Sequence, residues 1–237
     1  MTTDYAGLET QLAIDLDLPH RPIAVAFRPA PPSGVEKFEG TQPSGCSFWR
    51  LAAEGRTFYT VADQHYNCPI GSYTHNIALP PARAHELEDT LGFMTSLGYL
   101  RIEEVPAIPR LADTPGVVIY APLGATPVEP DVVLFWGPPG RIMLLQEAAL
   151  RAGLAGELPT LGRPTCMILP AALRHGTVAS TGCIGNRVYT GLDDTELYVA
   201  VPGPDLTRVA GEASIVHRAN LALLEYHRGR KRELTTT

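Results

Sequence analysis

The feature that most constrains the fold is a set of short apolar runs. Ile23–Phe27, Val117–Tyr120 and Val132–Trp136 contain almost no polar residue, which is typical of strands that are buried on both faces. Thr57–Val61 and Glu196–Val201 are also rich in β-forming residues. The chain therefore contains a sheet whose strands are short.

Segments with helical periodicity stand between these runs. Pro81 and Gly98, for example, are typical of the first helical residue and of the residue after the last turn. We predict helices over residues 4–17, 46–55, 81–97, 141–152, 170–175 and 205–227, and a further strand over Thr165–Leu169. Mixed strands and helices favour an α/β or α+β fold, with a mixed sheet flanked by helices.

A chain of 237 residues can bury a core without disulfides. We predict one compact domain over residues 1–237, with its core at roughly 20–225. Two parts of the chain are weakly similar to each other. In residues 21–46 and again in residues 163–183, an Arg-Pro pair precedes an apolar run and a Gly-Cys pair follows that run. The match is a few residues long, so chance is the simpler explanation.

Composition excludes several classes of function. The net charge is −6 and no basic stripe is present, so we expect no nucleic-acid partner. No apolar run is long enough for a membrane span, and the N-terminus lacks the pattern of a signal peptide. We therefore expect a cytoplasmic protein with reduced thiols. Charged residues make up only 19% of the chain, which favours an oligomer, and a homodimer is our expectation.

Common catalytic motifs are absent from the sequence. It contains no Walker A loop, no GxGxxG at a strand–helix junction, no HExxH, no GxSxG and no CxxC. Ordinary nucleotide enzymes, hydrolases and zinc fingers therefore have no support, and the candidate chemistry rests on the four cysteines.

Cys46 and Cys68 lie where helices should begin. Cys46 follows Ser44-Gly45, and a helix N-terminus is expected to lower the pKa of its thiol. Cys68 precedes Pro69 in a loop with two histidines and two tyrosines: His65, Tyr66, Tyr73 and His75. A plain packing role is the alternative for both cysteines.

Cys183 is the third cysteine in a turn that looks like the start of a helix, and it lies in the stretch that most resembles a ligand site, Gly182-Cys183-Ile184-Gly185-Asn186-Arg187. Its glycines allow close approach of the backbone, its N–H groups can bind an anion, and Arg187 can pair with a carboxylate or phosphate. The alternative is a structural turn with an internal ion pair. Cys166 lies in an apolar run, where a core role is the better prediction and metal ligation the second.

Four separated blocks resemble the family known as domain of unknown function 169. They are RPIAVAF, CSFWRLAAEG, HYNCPIGSYTHN and STGCIGNRVYTGL, and the similarity spans roughly residues 20–225. The resemblance implies a cytoplasmic prokaryotic protein in one continuous domain. It implies no catalytic residue.

Three hypotheses follow, and whether the chain is an enzyme stays open. The first is a metal or iron–sulfur protein with a redox or sensing role, in which Cys46, Cys68 and Cys183 are ligands and Cys166 or His65 is the fourth, holding a cluster or zinc. The second is a metal-free module for a small molecule or anion, with the site residues Arg50, Trp49, Tyr66, Tyr73, Gly182, Gly185, Asn186 and Arg187. The third is an enzyme with Cys68 or Cys183 as nucleophile and His65 or His75 as base.

Overall fold

All the strands in the described part of the chain belong to one seven-stranded sheet. The computed structural model describes residues 3–154 and 159–235. The strands are β1 (Ile23–Arg28), β2 (Phe58–Thr60), β3 (Val117–Pro122), β4 (Val132–Gly137), β5 (Thr160–Leu161), β6 (Val178–Ser180) and β7 (Leu197–Pro202). Their spatial order is β2-β3-β1-β4-β7-β6-β5. Every neighbouring pair is antiparallel except β5 and β6, which are parallel.

Helices lie on both faces of this sheet. They are α1 (Tyr5–Leu16), α2 (Ser47–Ala53), α3 (Pro69–Thr74), α4 (Glu86–Ser96), α5 (Pro139–Arg151), α6 (Ile168–His175), α7 (Ile184–Thr190) and α8 (Leu206–Thr235). The predicted fold class, a mixed sheet flanked by helices, is confirmed.

The central strand β4 shows why its sequence is apolar throughout. Leu134 and Trp136 pack with α2 and α6 on one face, whereas Val133 and Phe135 pack with α1, α5 and α8 on the other. Successive side chains of a strand point to opposite faces, so a strand covered on both sides needs apolar residues at every position. The face that carries α2 and α6 also holds Cys46.

The strand predicted over Thr165–Leu169 is wrong. These residues form a 3-10 turn, Thr165–Met167, that continues into α6. Pro170 lies in the first turn of α6, where its missing N–H costs nothing, whereas it would interrupt a strand ladder. Ile168, Leu169, Ala171 and Ala172 are all buried, and this spacing of buried residues is helical.

Several element boundaries also differ from the predictions. Residues 81–83 form a separate 3-10 turn before α4, and α8 extends to Thr235 rather than ending near residue 227. Helices α3 and α7 and strands β5 and β6 were not assigned from periodicity, because each is only two to seven residues long. No helix among the described residues combines the length and the apolar character that a membrane crossing requires.

Candidate functional site

Cys68 is the N-cap residue of α3. Its Sγ accepts a hydrogen bond from the backbone N–H of Gly71 at 3.3 Å, and Pro69 occupies the first helical position. A Cβ atom at position 71 would lie only 3.2 Å from this sulfur, so the glycine permits the close approach. The sulfur therefore lies at the positive end of a helix and is half-buried.

Cys183 occupies the same position at α7. Its Sγ accepts from the backbone N–H of Asn186 at 3.5 Å, and its own N–H donates to Thr165 Oγ1 at 2.5 Å. The chain reaches this position from β6 through Gly182, which has a φ of +78°. A left-handed φ favours glycine because it has no Cβ, so this glycine turns the chain from the strand into α7.

Cys46 directly precedes α2 and is buried. Its Sγ lies 3.0 Å from Ser44 Oγ, and it makes no side-chain cap. Helix α2 packs against α7, which brings the Cys46 and Cys183 turns to one side of the sheet. The prediction that three of the cysteines stand at helix starts is confirmed.

Cys166 lies in the 3-10 turn before α6, against which α3 packs. Its Sγ is 4.0 Å from the carbonyl oxygen of Ile70, which is in the first turn of α3. The neighbouring Thr74 hydroxyl favours the thiolate form of Cys166. This turn therefore places the Cys166 thiol next to the first turn of α3, the helix that Cys68 caps.

The turns that carry the four cysteines pack together. The Cys183 N–H donates to the residue before Cys166, Cys166 Sγ lies near the first turn of the helix that Cys68 caps, and the helix after Cys46 packs against α7. In agreement with this packing, the charges of neighbouring thiolates contribute to the raised pKa values of Cys46, Cys68 and Cys166. The cysteines that come together are as many as 137 positions apart in the sequence, from Cys46 to Cys183.

The expected lowering of the Cys46 pKa is wrong. Burial raises the pKa of this thiol to about 12, against a weaker lowering by Ser44. Burial also raises the pKa of Cys68 and, further, that of Cys166. Loss of hydration penalises the thiolate more than hydrogen bonds at these turns favour it, so these three thiols are protonated near neutral pH.

Two buried polar groups beside the thiols have no partner within the described residues. They are the hydroxyl of Tyr120 and the side-chain amide of Asn186. Burial raises the pKa of Tyr120, and the charges of Cys46 and Cys166 raise it further. The Asn186 amide favours the Cys46 thiolate. Both groups can donate hydrogen bonds to an acceptor, and a buried donor without an acceptor costs about 1–3 kcal/mol.

His65 and His75 form a separate buried pair, with ring centroids 5.4 Å apart. His65 Nε2 lies 2.8 Å from Thr60 Oγ1, and His75 Nδ1 lies 2.9 Å from the carbonyl oxygen of Gly71. Burial, followed by the charge of His75, lowers the pKa of His65 to about 3, and burial lowers that of His75 as well. The charge effects on His65 come from His75 and not from a cysteine, so Cys166 has the stronger link to the other thiols.

The two predicted arginines already have protein partners. Arg187 donates to the carbonyl oxygens of Asp193 and Thr181, and Arg50 donates to Glu54 and to the carbonyl oxygen of Thr190. Their guanidinium groups thus hold the ends of α7 and α2 in place. This arrangement corresponds to the structural alternative for the Gly182–Arg187 turn.

The predicted aromatic and glycine residues are dispersed over several surroundings. Trp49 is fully buried against Tyr198, while the Tyr73 ring is covered by Arg110. Tyr66 is half-buried, and Gly185 faces the ring of Tyr189. Trp49 therefore belongs to the core, whereas Gly182 and Asn186 lie beside Cys183.

Sequence reasoning missed Tyr120, Thr74 and Thr165 as neighbours of the thiols. Tyr120 is in an apolar strand run, whereas Thr165 directly precedes Cys166 and Thr74 directly precedes His75. No local pattern distinguishes them, because their contact with the cysteines arises only when separate elements pack. Ser44 is an exception, since it adjoins the Gly45-Cys46 turn.

Among residues 3–154 and 159–235, no group of three or more His, Cys, Asp or Glu side chains is arranged to hold a metal ion. One Zn²⁺ ion would require sulfurs about 2.3 Å from a common centre.

Comparison with known proteins identifies a family but no reaction. The model of domain of unknown function 169, described as uncharacterised ArCR, matches residues 11–211. The chain is also 29% identical over 181 residues to the uncharacterised protein MJ0308 of Methanocaldococcus jannaschii, a match that covers 72% of this chain and 76% of that protein. No solved structure matches significantly.

Proposed function

The chain belongs to the family of domain of unknown function 169, and from the geometry of its thiols we propose that it binds an iron–sulfur cluster with a redox or sensing role. The ligands are Cys46, Cys68, Cys166 and Cys183. The observation that carries this proposal is the packing of the four cysteine turns: the Cys183 N–H donates to the residue before Cys166, Cys166 Sγ lies 4.0 Å from the first turn of the helix that Cys68 caps, and the helix after Cys46 packs against α7. When bound, such a cluster supplies one-electron redox chemistry.

A cluster fits this arrangement better than a single ion. Each thiolate of a four-iron cluster binds a different iron, so its ligands stand farther apart than the ligands of one zinc ion. Soft thiolate ligands also select iron–sulfur clusters over magnesium or calcium.

The surroundings of the thiols suit an anionic group. Cys68 and Cys183 lie at helix N-termini, where backbone N–H groups favour negative charge. Tyr120 and Asn186 are buried donors that lack an acceptor among the described residues. Cluster sulfides and thiolate sulfurs would accept their hydrogen bonds.

Raised thiol pKa values make metal binding dependent on pH. Cys46, Cys68 and Cys166 must each lose a proton to become ligands. Binding therefore releases protons and strengthens as the pH rises. The raised pKa of Cys68 weakens its candidacy as a nucleophile, because a protonated thiol is a poor nucleophile.

The first experiment is iron and sulfide analysis, with a visible spectrum, on protein purified without oxygen. We expect stoichiometric iron and sulfide, and loss of most of the iron in Cys46→Ser, Cys68→Ser, Cys166→Ser and Cys183→Ser. His65→Gln is the matched control and should keep its iron, since we assign the fourth ligand to Cys166.

Folding of each variant is checked by circular dichroism. The corresponding alanine variants should hold less iron than the serine variants, because serine retains a weak oxygen ligand. A folded wild-type protein with neither iron nor zinc overturns the proposal. Stoichiometric zinc keeps a metal site but removes the redox role.

A second candidate function is metal-free binding of a small anion, which the unpaired Asn186 and Tyr120 donors favour. The donor groups of this anion site also belong to the proposed cluster site. Arg50 and Arg187 already donate hydrogen bonds to backbone carbonyl oxygens of the protein. Isothermal titration of the metal-free protein with phosphate and acetate tests it. Saturable binding that is lost in Asn186→Leu, together with an absence of iron, would favour the anion site.

A further inference from the structure

The last part of α8 extends beyond the body of the protein. Helix α8 spans Leu206–Thr235, about 45 Å at 1.5 Å per residue. Its buried residues all lie between Leu206 and Val216, and none of residues 217–235, which the structure describes in full, is buried. A helical segment of this length is marginal in water without a packing partner, so this part of α8 offers a surface for one.

One face of this segment is apolar near its middle and basic toward its end. Leu224, Arg228 and Lys231 follow one another at intervals of four and three residues, so they lie on the same side of the helix. Leu224 is 41% exposed, and both cations are exposed as well. These three residues are called the α8 face.

Helix α4 carries a matching face in the opposite order. Asp89, Phe93 and Leu97 recur every four residues, with Glu88 beside Asp89 at the acidic end. Phe93 and Leu97 are each 65% exposed, and both carboxylates are exposed. Residues 86–96 of this helix contain no lysine or arginine, so the carboxylates have no cation of their own helix beside them. These four residues are called the α4 face.

The two faces match when the helices run antiparallel. The apolar end of the α8 face then lies over Phe93 and Leu97, and its cations lie over the two carboxylates. Leu224 and Lys231 are about 10 Å apart along their helix axis at 1.5 Å per residue, and Leu97 and Asp89 are about 12 Å apart. The charges also suit the dipoles of their own helices, but the dipoles do not account for exposed apolar side chains beside them in the matching order.

A single chain does not bring these faces together. Helix α8 packs against α1 and α5, on the face of the sheet opposite α6. Helix α4 packs against α3, which packs against the turn before α6. A second copy can present its α8 face to α4, and a twofold axis then repeats the same contact in the other direction.

We propose that the protein forms a twofold-symmetric dimer in which the α8 face of each copy packs antiparallel against the α4 face of the other. The complementary charges select the partner and its direction, while the apolar side chains of both faces are removed from water. This assigns surfaces to the homodimer that the low content of charged residues favours. It does not depend on the bound group proposed above.

The test is the mass of the full-length protein in solution, measured by light scattering and by sedimentation. We expect a dimer for the wild type. Association should be at least about tenfold weaker in Arg228→Glu with Lys231→Glu, and in Glu88→Lys with Asp89→Lys, because like charges then face each other in both contacts. Glu36→Lys with Glu39→Lys is the control, since it makes the same change in net charge at exposed positions outside both faces and should stay dimeric.

An equal mixture of the two reversed proteins separates this contact from a general effect of charge. Each acidic α8 face then meets a basic α4 face, and each basic α8 face meets an acidic one, so a mixed dimer should form. All the substituted positions are exposed, and circular dichroism checks the fold. A monomeric wild type, a dimer that survives either reversal, or a mixture that stays monomeric overturns the proposal. A monomeric wild type that binds anionic vesicles also overturns it, because the α8 cations then serve a lipid surface.

Discussion

Cys46 illustrates at the residue scale how burial and local hydrogen bonds compete for one proton. Ser44 and Asn186 both favour its thiolate, yet burial raises the pKa to about 12. A residue's place in the sequence indicates the helix start but not the depth of burial. The depth of burial determines the pKa of the thiol and keeps it protonated, so a metal would have to displace this proton.

His65 gives a prediction at the same scale. Its pKa is about 3 in the folded protein, chiefly because of burial, and about 6.5 in an unfolded chain. Below pH 6.5 the unfolded state binds a proton that the folded state does not. The free energy of unfolding should therefore fall as the pH is lowered from 6.5 to 5, by roughly 1.4 kcal/mol per pH unit for this residue.

Urea unfolding of wild-type and His65→Gln proteins at several pH values measures this dependence. The glutamine variant should have a shallower slope, because the titrating group is gone and His75 supplies what remains. His85→Gln is the control, since that side chain is 66% exposed. Equal slopes in the wild-type and His65→Gln proteins would contradict the burial argument.

At the scale of elements, the short helices α3 and α7 depend on the residues that cap them. Each is preceded by an N-cap cysteine whose sulfur accepts a hydrogen bond from a backbone N–H of the helix. Such short helices are marginal by propensity alone. Their caps and the glycine turn before α7 therefore carry much of the local structure, and a change at this turn should affect both the fold and the site.

Gly182→Ala tests this dependence. The residue has a φ of +78°, and a Cβ would lie 2.6 Å from a methyl carbon of Leu192. We expect a loss of more than about 1 kcal/mol in the free energy of unfolding, with reduced iron content. Gly211→Ala in α8 is the control, because a Cβ there meets no atom within 4 Å and should stabilise the helix by about 0.5–1 kcal/mol. A Gly182→Ala protein as stable as the wild type would show that the turn tolerates a side chain.

At the scale of the whole molecule, one sheet joins two apolar layers. Leu134 and Phe135 are adjacent in β4 and fully buried, but they belong to opposite layers. Loss of either layer exposes the same strand. The two layers should therefore unfold together, although they have no apolar side chain in common.

Leu134→Ala and Phe135→Ala test this coupling. We expect losses of about 2–5 and 3–5 kcal/mol, respectively, each with a single unfolding transition when followed by circular dichroism and by tryptophan fluorescence. Leu221→Ala, at an exposed position in α8, should change the free energy of unfolding by less than about 0.5 kcal/mol. Two separated transitions in either core variant would contradict a common unfolding unit.

The sequence by itself determined the principal strands, the longer helices and the class of the fold. The runs at Ile23, Val117 and Val132 are apolar at every position, and this pattern follows from burial on two faces. The glycines and the proline beside three of the cysteines also predicted that helices start there, because these residues mark turns locally. These properties depend on residues that are near one another in the chain.

The packing of the four cysteine turns against one another, the burial of Cys46 and Cys166, and the place of Asn186 beside Cys183 arise only in the tertiary structure. These follow from the packing of α2 against α7 and of α3 against the turn that holds Cys166. The strand predicted at Thr165–Leu169 failed for a related reason, since an apolar run of five residues fits a buried helix as well as a strand. Contacts between distant segments and the loss of hydration on burial leave no local pattern, so they emerge only when the elements pack.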